Sequence, residues 1–101
     1  MKRQGDLLFV RLTEITEKAR ENPDGRVLAR GEATGHSHAI AEADLAHCEV
    51  FLDGADRLIV RAKADVNVIH QEHDQVALES GTWEVRRQRE YEPAGWRHVR
   101  D

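Results

Sequence analysis

The chain has 101 residues, with 15 basic and 19 acidic side chains and a formal net charge of −4. Hydrophobic residues make up 40% and charged residues 34% of it. The chain is therefore apolar enough to fold, and its length suits one β domain over residues 1–101. The mild acidity argues against a protein that covers nucleic acid or an anionic membrane by bulk charge.

Two absences in the sequence indicate where the protein resides. No apolar run approaches the roughly 20 residues of a membrane span, and Met1 to Asp6 does not lead into a signal peptide. Cys48 is the only cysteine, so no disulfide can form within the chain. We therefore expect a protein of the reducing cytoplasm, with no membrane partner.

Alternation of apolar and polar residues with a period of two dominates the chain and predicts β-strands. Residues 6–12 are predicted to form a strand that is buried on both faces, and residues 26–32 a second strand. Between them, residues 13–22 are polar and predict a short helix or a mobile loop, which a turn at Pro23-Asp24-Gly25 closes.

Further short strands are predicted in the second half of the chain. They are residues 48–52, 57–61, 66–70, 75–79 and 82–90, of which the first two form one hairpin and the last two another across Ser80-Gly81. Short strands at this spacing predict an all-β fold, a small antiparallel β-barrel or sandwich.

Six histidines occur in the chain, and four of them form two close pairs. His36 and His38 are two residues apart, so their rings project from the same face if the segment is extended. His70 and His73 are three residues apart, and the polar residues 71–74 predict a turn in which the two rings can converge. Neutral imidazole is a common metal ligand. The pairs therefore predict a divalent-metal site formed by all four histidines.

The residue types favour an open metal site over a closed structural one. A set of three or four histidines with one carboxylate and no paired thiolates is typical of catalytic metal centres. Glu42 and Glu72 are the candidate carboxylates, as further ligands or general bases. We expect zinc first, with nickel, iron or manganese as alternatives. Because a bound ion lowers the pKa of its water towards about 7, metal-dependent hydrolysis is the reaction predicted if the protein is an enzyme.

Two metal-free interpretations of the histidines stay open beside this one. The rings can serve as acid–base or phosphate-binding groups, as in a metal-free phosphodiesterase or RNase. Alternatively, the two pairs are ordinary surface side chains that share no site.

The last predicted strand carries basic residues on its core-facing side. Trp83 and Val85 point to the core, and the same alternation brings Arg87, Arg89 and Tyr91 to that face. The strand can run past the core to the rim of a site, a β-bulge can shift its register, or the arginines can pair with surface acids. In the first case these three residues are candidates for binding a small anionic substrate through its carboxylate or phosphate.

The charge of the C-terminal segment and the edges of the predicted sheets indicate which partners to expect. From Trp83 onward five arginines stand beside four acidic residues, so no basic stripe forms and nucleic acid is not an expected partner. Exposed edges of a small β fold can pair between copies. A non-catalytic homo-oligomeric binding or assembly module is therefore the alternative function.

Two resemblances extend this interpretation. Gly31, His36-Ser37-His38 and Glu42 resemble the first motif of the cupins, which implies a jelly-roll barrel that holds a divalent metal. Most of the chain is similar to small bacterial and phage-associated proteins, to which no activity is attached. The shared segments are Thr-Gly-His-x-His, His-x-Glu-His and Arg-Gln-Arg-Glu-Tyr, here ending at His38, His73 and Tyr91.

Overall fold

The computed structural model describes residues 1–13, 19–30, 35–54, 57–87, 89–92 and 95–98. Within them the alternating sequence forms antiparallel strands, in chain order β1 (Lys2–Gln4), β2 (Leu7–Leu12), β3 (Ala19–Glu21), β4 (Val27–Arg30), β5 (Ser37–Ile40), β6 (Cys48–Asp53), β7 (Arg57–Ala62), β8 (Val66–Ile69), β9 (Val76–Leu78), β10 (Gly81–Arg87), β11 (Arg89–Glu92) and β12 (Gly95–His98). A 3₁₀ helix, Glu42–His47, lies between β5 and β6.

The strands form two main sheets. One has six strands in the order β1-β2-β10-β7-β6-β3, and the other has four in the order β4-β5-β8-β9. Strands β11 and β12 pair separately as a hairpin. The predicted all-β fold is confirmed, and it is a sandwich: in the described residues neither sheet closes into a barrel.

Both sheets contribute to one hydrophobic core. The six-stranded sheet supplies Phe9, Val60 and Trp83, among others, and the four-stranded sheet supplies Ile40 and Val68. Burying each large apolar side chain of this kind contributes roughly 1.5–3 kcal/mol. The core therefore determines how the two sheets face each other. It also determines where the polar groups at the margins of the sheets lie.

Strand β2 is buried on one face, whereas the sequence predicted burial on both. Leu7 and Phe9 are buried, while Leu8, Val10 and Leu12 are partly exposed. An antiparallel sheet of a sandwich packs one face on the core and leaves the other towards solvent. Since the outer face of β2 carries apolar residues as well, the sequence alone overstated its burial.

The polar segment over residues 13–22 contains a strand. Residues 19–21 form β3, which pairs with the edge of β6 through Ala19 and Asp53 at one end and Glu21 and Phe51 at the other. Backbone pairing with a neighbouring strand outweighs the local polarity of this stretch. Residues 14–18 lie outside the described residues.

One of the two predicted hairpins is confirmed and the other is wrong. Strands β6 and β7 pair as predicted, from Cys48 and Ala62 to Asp53 and Arg57. Strand β9, however, pairs with β8, whereas β10 lies between β2 and β7 in the other sheet. The chain crosses between the sheets at Ser80, because burial of Trp83 places β10 in the centre of the six-stranded sheet.

The end of β10 keeps a regular register. Its pairing with β2 runs without a shift from Thr82 opposite Leu12 to Arg87 opposite Leu7. The bulge considered from the sequence is therefore absent from these residues, and the strand carries Arg87 beyond the core. None of the described helices is both long enough and apolar enough to span a bilayer.

Candidate functional site

The tip of the β1–β2 hairpin places two polar side chains in the interior. Gln4 ends β1, Leu7 begins β2 opposite it, and only Gly5 and Asp6 connect them. Gly5 has a φ of 56°, in the left-handed region that glycine adopts readily in such two-residue turns. Gln4 and Asp6 are each 2% exposed. A tight turn thus carries an amide and a carboxylate under the four-stranded sheet.

His38 comes to the same place from β5. Its side chain is fully buried, on the same face of β5 as the core residue Ile40. Nδ1 of His38 lies 2.8 Å from Oε1 of Gln4, and Nε2 lies 3.3 Å from Oδ1 of Asp6. A hairpin tip and a strand more than 30 residues away in the sequence therefore meet at one imidazole ring.

The hydrogen bonds of Gln4 determine which nitrogen of His38 carries a proton. The Gln4 amide nitrogen donates to the carbonyl oxygens of Val68 at 2.8 Å and Asp74 at 2.9 Å, which uses both of its hydrogens. The amide oxygen is then the group that faces His38, and it can only accept. His38 must therefore donate from Nδ1, and in the neutral ring Nε2 bears the lone pair.

Burial keeps His38 neutral. The pKa of His38 is lowered from 6.5 to about 4, first by burial and then by repulsion from His70, against the opposing attraction of Asp6. Nε2 of His38 and Oδ1 of Asp6 are consequently two acceptor atoms that face each other. Neither has a hydrogen-bond partner among the described residues.

Arg87 balances the charge of Asp6 from the end of β10. Its Nε lies 2.9 Å from Oδ2 of Asp6, and its Nη2 donates to the carbonyl oxygen of Arg30 at 2.7 Å. The strand therefore carries Arg87 to the rim of the site, which was the first of the three alternatives that the sequence left open. These contacts hold the second carboxylate oxygen and leave Oδ1 turned to His38.

The second histidine pair meets the first. His70 directly follows β8, and the bends at residues 71–73 bring His73 back, so that the ring centroids of His70 and His73 are 4.6 Å apart. The ring of His70 lies 4.4 Å from that of His38 and 5.6 Å from that of His36. The predicted turn and the predicted convergence of its two rings are confirmed. We call the group formed by Gln4, Asp6, His36, His38, His70 and His73 the histidine pocket.

His70 carries the opposite tautomer to His38. Its Nδ1 accepts from the backbone N–H groups of Glu72 at 3.0 Å and His73 at 3.3 Å. A nitrogen that accepts has no proton, so in the neutral ring Nε2 of His70 is an N–H donor, and that atom is buried. The pocket thus contains a lone-pair nitrogen and an N–H nitrogen on adjacent rings.

His36 and His73 complete the pocket at different depths. The His73 ring stacks parallel to that of His38, with centroids 6.2 Å apart, and its Nε2 is buried without a hydrogen-bond partner in the described part of the chain. His36 lies nearer the surface, where its Nε2 is 3.4 Å from Oε1 of the exposed Glu72.

The other predicted site residues are placed differently. Glu42 begins the 3₁₀ helix with an exposed side chain, so of the two predicted carboxylates only Glu72 contacts a pocket histidine among the described residues. The side chains of Arg89 and Tyr91 lie outside the described residues. Sequence reasoning missed Gln4 and Asp6; the only signal was two polar residues beside a glycine directly before an apolar strand.

Among the cavities beside the described residues, two differ in size and in position. One of about 200 Å³ is lined by His70 together with Arg26, Ser37 and Ile69, among others, and Ser37 lies on the face of β5 opposite to that of His38. The larger, of about 500 Å³, lies beside β3 and β6, and no described residue of its lining is a histidine. The second cavity is the larger of these two. The buried acceptor atoms of Asp6 and His38, which have no hydrogen-bond partner among the described residues, belong instead to the histidine pocket.

The pocket is not a finished metal centre. Among the residues that the structure describes, no three His, Cys, Asp or Glu side chains already stand as a ligand set for a metal ion. Two acceptor atoms, on Asp6 and His38, are in place, and a third ligand would have to move towards them.

Comparison with known proteins identifies a family without a function. A family model described as a domain of unknown function, DUF8820, matches residues 3–88, which include the whole histidine pocket and Arg87. No curated protein and no solved structure matches the chain.

Proposed function

This chain belongs to the DUF8820 family, and we propose that its histidine pocket binds one divalent transition-metal ion. The observation that carries the proposal is the contact between Nε2 of His38 and Oδ1 of Asp6, two acceptors 3.3 Å apart in the interior. Facing lone pairs in a buried site are unfavourable unless a cation lies between them. With the proton of His38 on Nδ1, a metal ion can supply that positive charge.

The spacing of the two atoms suits a metal ion. Nitrogen and oxygen ligands of tetrahedral zinc lie at about 2.0–2.2 Å from the ion, so neighbouring ligand atoms are about 3.3–3.5 Å apart. The 3.3 Å between His38 and Asp6 agrees with this separation and is long for a hydrogen bond. Gln4 holds His38 from behind through a hydrogen bond, and Arg87 holds Asp6 through an ion pair, as residues around the ligands of metal centres commonly do.

His73 is the residue that we propose as the third ligand. Its buried Nε2 has no hydrogen-bond partner among the described residues, and it lies on a short turn rather than in a strand. A small rotation of this ring towards His38 and Asp6 would gather the ligand set. His36, at the mouth of the pocket, remains a predicted further ligand.

Burial favours an ion over an organic substrate at the inner atoms. His38 is fully buried and Asp6 is 2% exposed, so only a small species fits between them. Imidazole and carboxylate donors without thiolate suit zinc, and also nickel, iron or manganese.

Hydrolysis by water bound to the ion remains the reaction predicted, with the exposed Glu72 as the candidate general base. The contacts of Arg87 with Asp6 and Arg30 favour a role in supporting the site over binding a substrate anion.

The test is the metal content of untagged protein purified without chelator, measured by elemental analysis as metal per chain. We expect about one zinc or other transition-metal ion per wild-type chain, directly or after incubation with each metal. His38→Ala should hold none. His47→Ala is the matched control, because His47 is exposed on the 3₁₀ helix and should leave the metal content unchanged.

Two results would contradict the proposal. Wild-type protein that stays metal-free after incubation with zinc, nickel and manganese would show that the pocket binds no such ion. Equal metal content in wild type and His38→Ala would show that the ion binds elsewhere. Activity that survives chelation and is lost with either histidine pair would instead indicate metal-free acid–base catalysis.

A further inference from the structure

We propose that the cavity of about 500 Å³ beside β3 and β6 binds a small carboxylate with a short aliphatic body. Small-molecule sites in proteins commonly have volumes of about 300–1,000 Å³. None of the described residues that line this cavity belongs to the histidine pocket, so the proposal does not depend on a metal ion.

The cavity lies where the edge of the six-stranded sheet is incomplete. Strand β3 ends at Glu21, opposite Phe51, and one further bond runs from the N–H of Asn22 to the carbonyl oxygen of Val50 at 3.0 Å. Beyond that bond, β6 extends to Cys48 without a neighbouring strand on this side in the described part of the chain. The gap leaves room for a ligand beside β6.

The charges that line the cavity are separated between the two faces of the sheet. Arg20 pairs with Leu52, which has the same parity along β6 as Val50, a residue packed against the core. Glu21 and Glu49 have the opposite parity and point to the outer face. On the core-facing side, the described lining from these two strands therefore carries a cation and no carboxylate.

A second guanidinium group reaches the cavity from the facing sheet. Arg26 directly precedes β4, and its Nη1 donates to the carbonyl oxygen of Ile40 at 3.1 Å, which orients the side chain and leaves its other N–H groups for a ligand. Arg20 is exposed and forms no ion pair among the described residues. The remaining arginine of the lining, Arg61, is already paired with Glu49 at 3.3 Å. Arg20 and Arg26 are thus the groups that we assign to an anion.

Apolar side chains complete the cavity. Leu45 of the 3₁₀ helix, Val50 and Cys48 line it. Burial raises the pKa of the Cys48 thiol, so this side chain stays neutral and behaves as a small hydrophobic group. An aliphatic body suits such a wall, and the planar fork of an arginine suits a carboxylate. Inorganic phosphate would bring the charge without the apolar contact.

The first part of the test is a titration of metal-free, ¹⁵N-labelled protein with hexanoate, followed through backbone N–H chemical shifts. We expect saturable shifts at Asn22, Cys48 and Val50. Acetate lacks the aliphatic body and hexan-1-ol lacks the charge, so each should bind more weakly than hexanoate. Inorganic phosphate should bind more weakly as well.

The second part compares arginine variants. Arg20→Gln and Arg26→Gln should each weaken hexanoate binding by about three- to tenfold, because each removes a charged donor at a partly exposed site. Arg20 is exposed, so its replacement leaves the fold intact. Arg3→Gln is the matched control, because Arg3 is an exposed arginine of β1, at the opposite edge of the same sheet, and should leave hexanoate binding unchanged.

Three results would overturn the proposal. Shifts that rise linearly with hexanoate, without saturation, would show that no site exists. Equal hexanoate affinity of wild type, Arg20→Gln and Arg26→Gln would show that the two arginines do not bind the carboxylate. Tighter binding of inorganic phosphate than of hexanoate at the same signals would show a site for a different class of anion. Each result is obtained without a metal ion and leaves the proposed function of the histidine pocket unaffected.

Discussion

Oδ1 of Asp6 and Nε2 of His38 face each other at 3.3 Å, and neither atom has a hydrogen-bond partner among the described residues. The contact is forced by its surroundings, because Gln4 holds the proton of His38 on the opposite side of the ring and Arg87 holds the other oxygen of Asp6. A fold that gathers two buried acceptors in this way loses stability in the empty site.

We expect Asp6→Asn to weaken metal binding by tenfold or more, roughly, without destabilising the metal-free protein. The amide nitrogen can donate to Nε2 of His38 while the amide oxygen faces Arg87, so the facing acceptors are replaced by a hydrogen bond. Calorimetric metal titration and urea unfolding in EDTA measure the two effects. A variant less stable than wild type by more than about 2 kcal/mol in EDTA would contradict this account of the contact.

Gln4→Leu should weaken metal binding about 10- to 100-fold, although Gln4 is not a proposed ligand. The substitution removes the acceptor that fixes the His38 proton on Nδ1. It also removes the donor to the Val68 and Asp74 carbonyl oxygens, so the metal-free protein should lose about 1–3 kcal/mol of unfolding free energy. The His38 tautomer in ¹⁵N spectra is the decisive readout: a single Nδ1–H form that persists in the variant would show that Gln4 does not position the ring.

The metal-free protein should lose stability as the pH falls from about 6.5 towards 4. The pKa of His38 is about 4 in the folded chain and 6.5 in the reference state, so between these values the unfolded chain binds more protons. The contribution of neutral His38 is present above 6.5 and is lost as the pH falls through the folded pKa. The slope from this one group is at most about 1.4 kcal/mol per pH unit.

Urea unfolding at several pH values, with EDTA present, measures that slope. His38→Gln is the comparison, because it lacks the titrating ring and should show a shallower decrease over the same range. Equal slopes for the two proteins would mean that His38 does not titrate as described.

Arg87→Met should destabilise the protein by about 2 kcal/mol or more, because it leaves the buried carboxylate of Asp6 without its cation. The neighbouring Arg86 provides the control. Arg86 is more than half exposed, and its partner Glu84 also contacts Arg57 at 3.5 Å, so Arg86→Met should lower the urea midpoint much less than Arg87→Met does. Equal effects of the two substitutions on the urea midpoint would contradict a special role for Arg87.

Those features of the site that depend on neighbouring residues in the chain could be predicted from the sequence. His70 and His73 are close because a turn with only Gln71 and Glu72 between them joins the two, and these polar residues are visible in the sequence. The register of β10 from Trp83 to Arg87 likewise follows from alternation, which places Arg87 on the inner face. Both predictions depend only on neighbours in the chain.

The long-range placements could not be predicted. The second hairpin was wrong because strand spacing says nothing about which sheet each strand joins, and burial of Trp83 decided that β10 joins the six-stranded one. The burial of Gln4 and Asp6 could not be predicted either, because it also depends on long-range placement. A polar residue in a tight turn is ordinarily exposed, and only the sandwich places this turn beneath His38.

The sequence by itself determined an all-β chain with two histidine pairs, since period-two alternation and short spacings depend on covalent neighbours. Only the tertiary structure decided that the pairs meet, that Gln4 and the backbone give His38 and His70 opposite tautomers, and that Asp6 faces a lone pair. These relations join β1, β5, β8 and β10, and they arise because packing of the two sheets over one core brings their margins together.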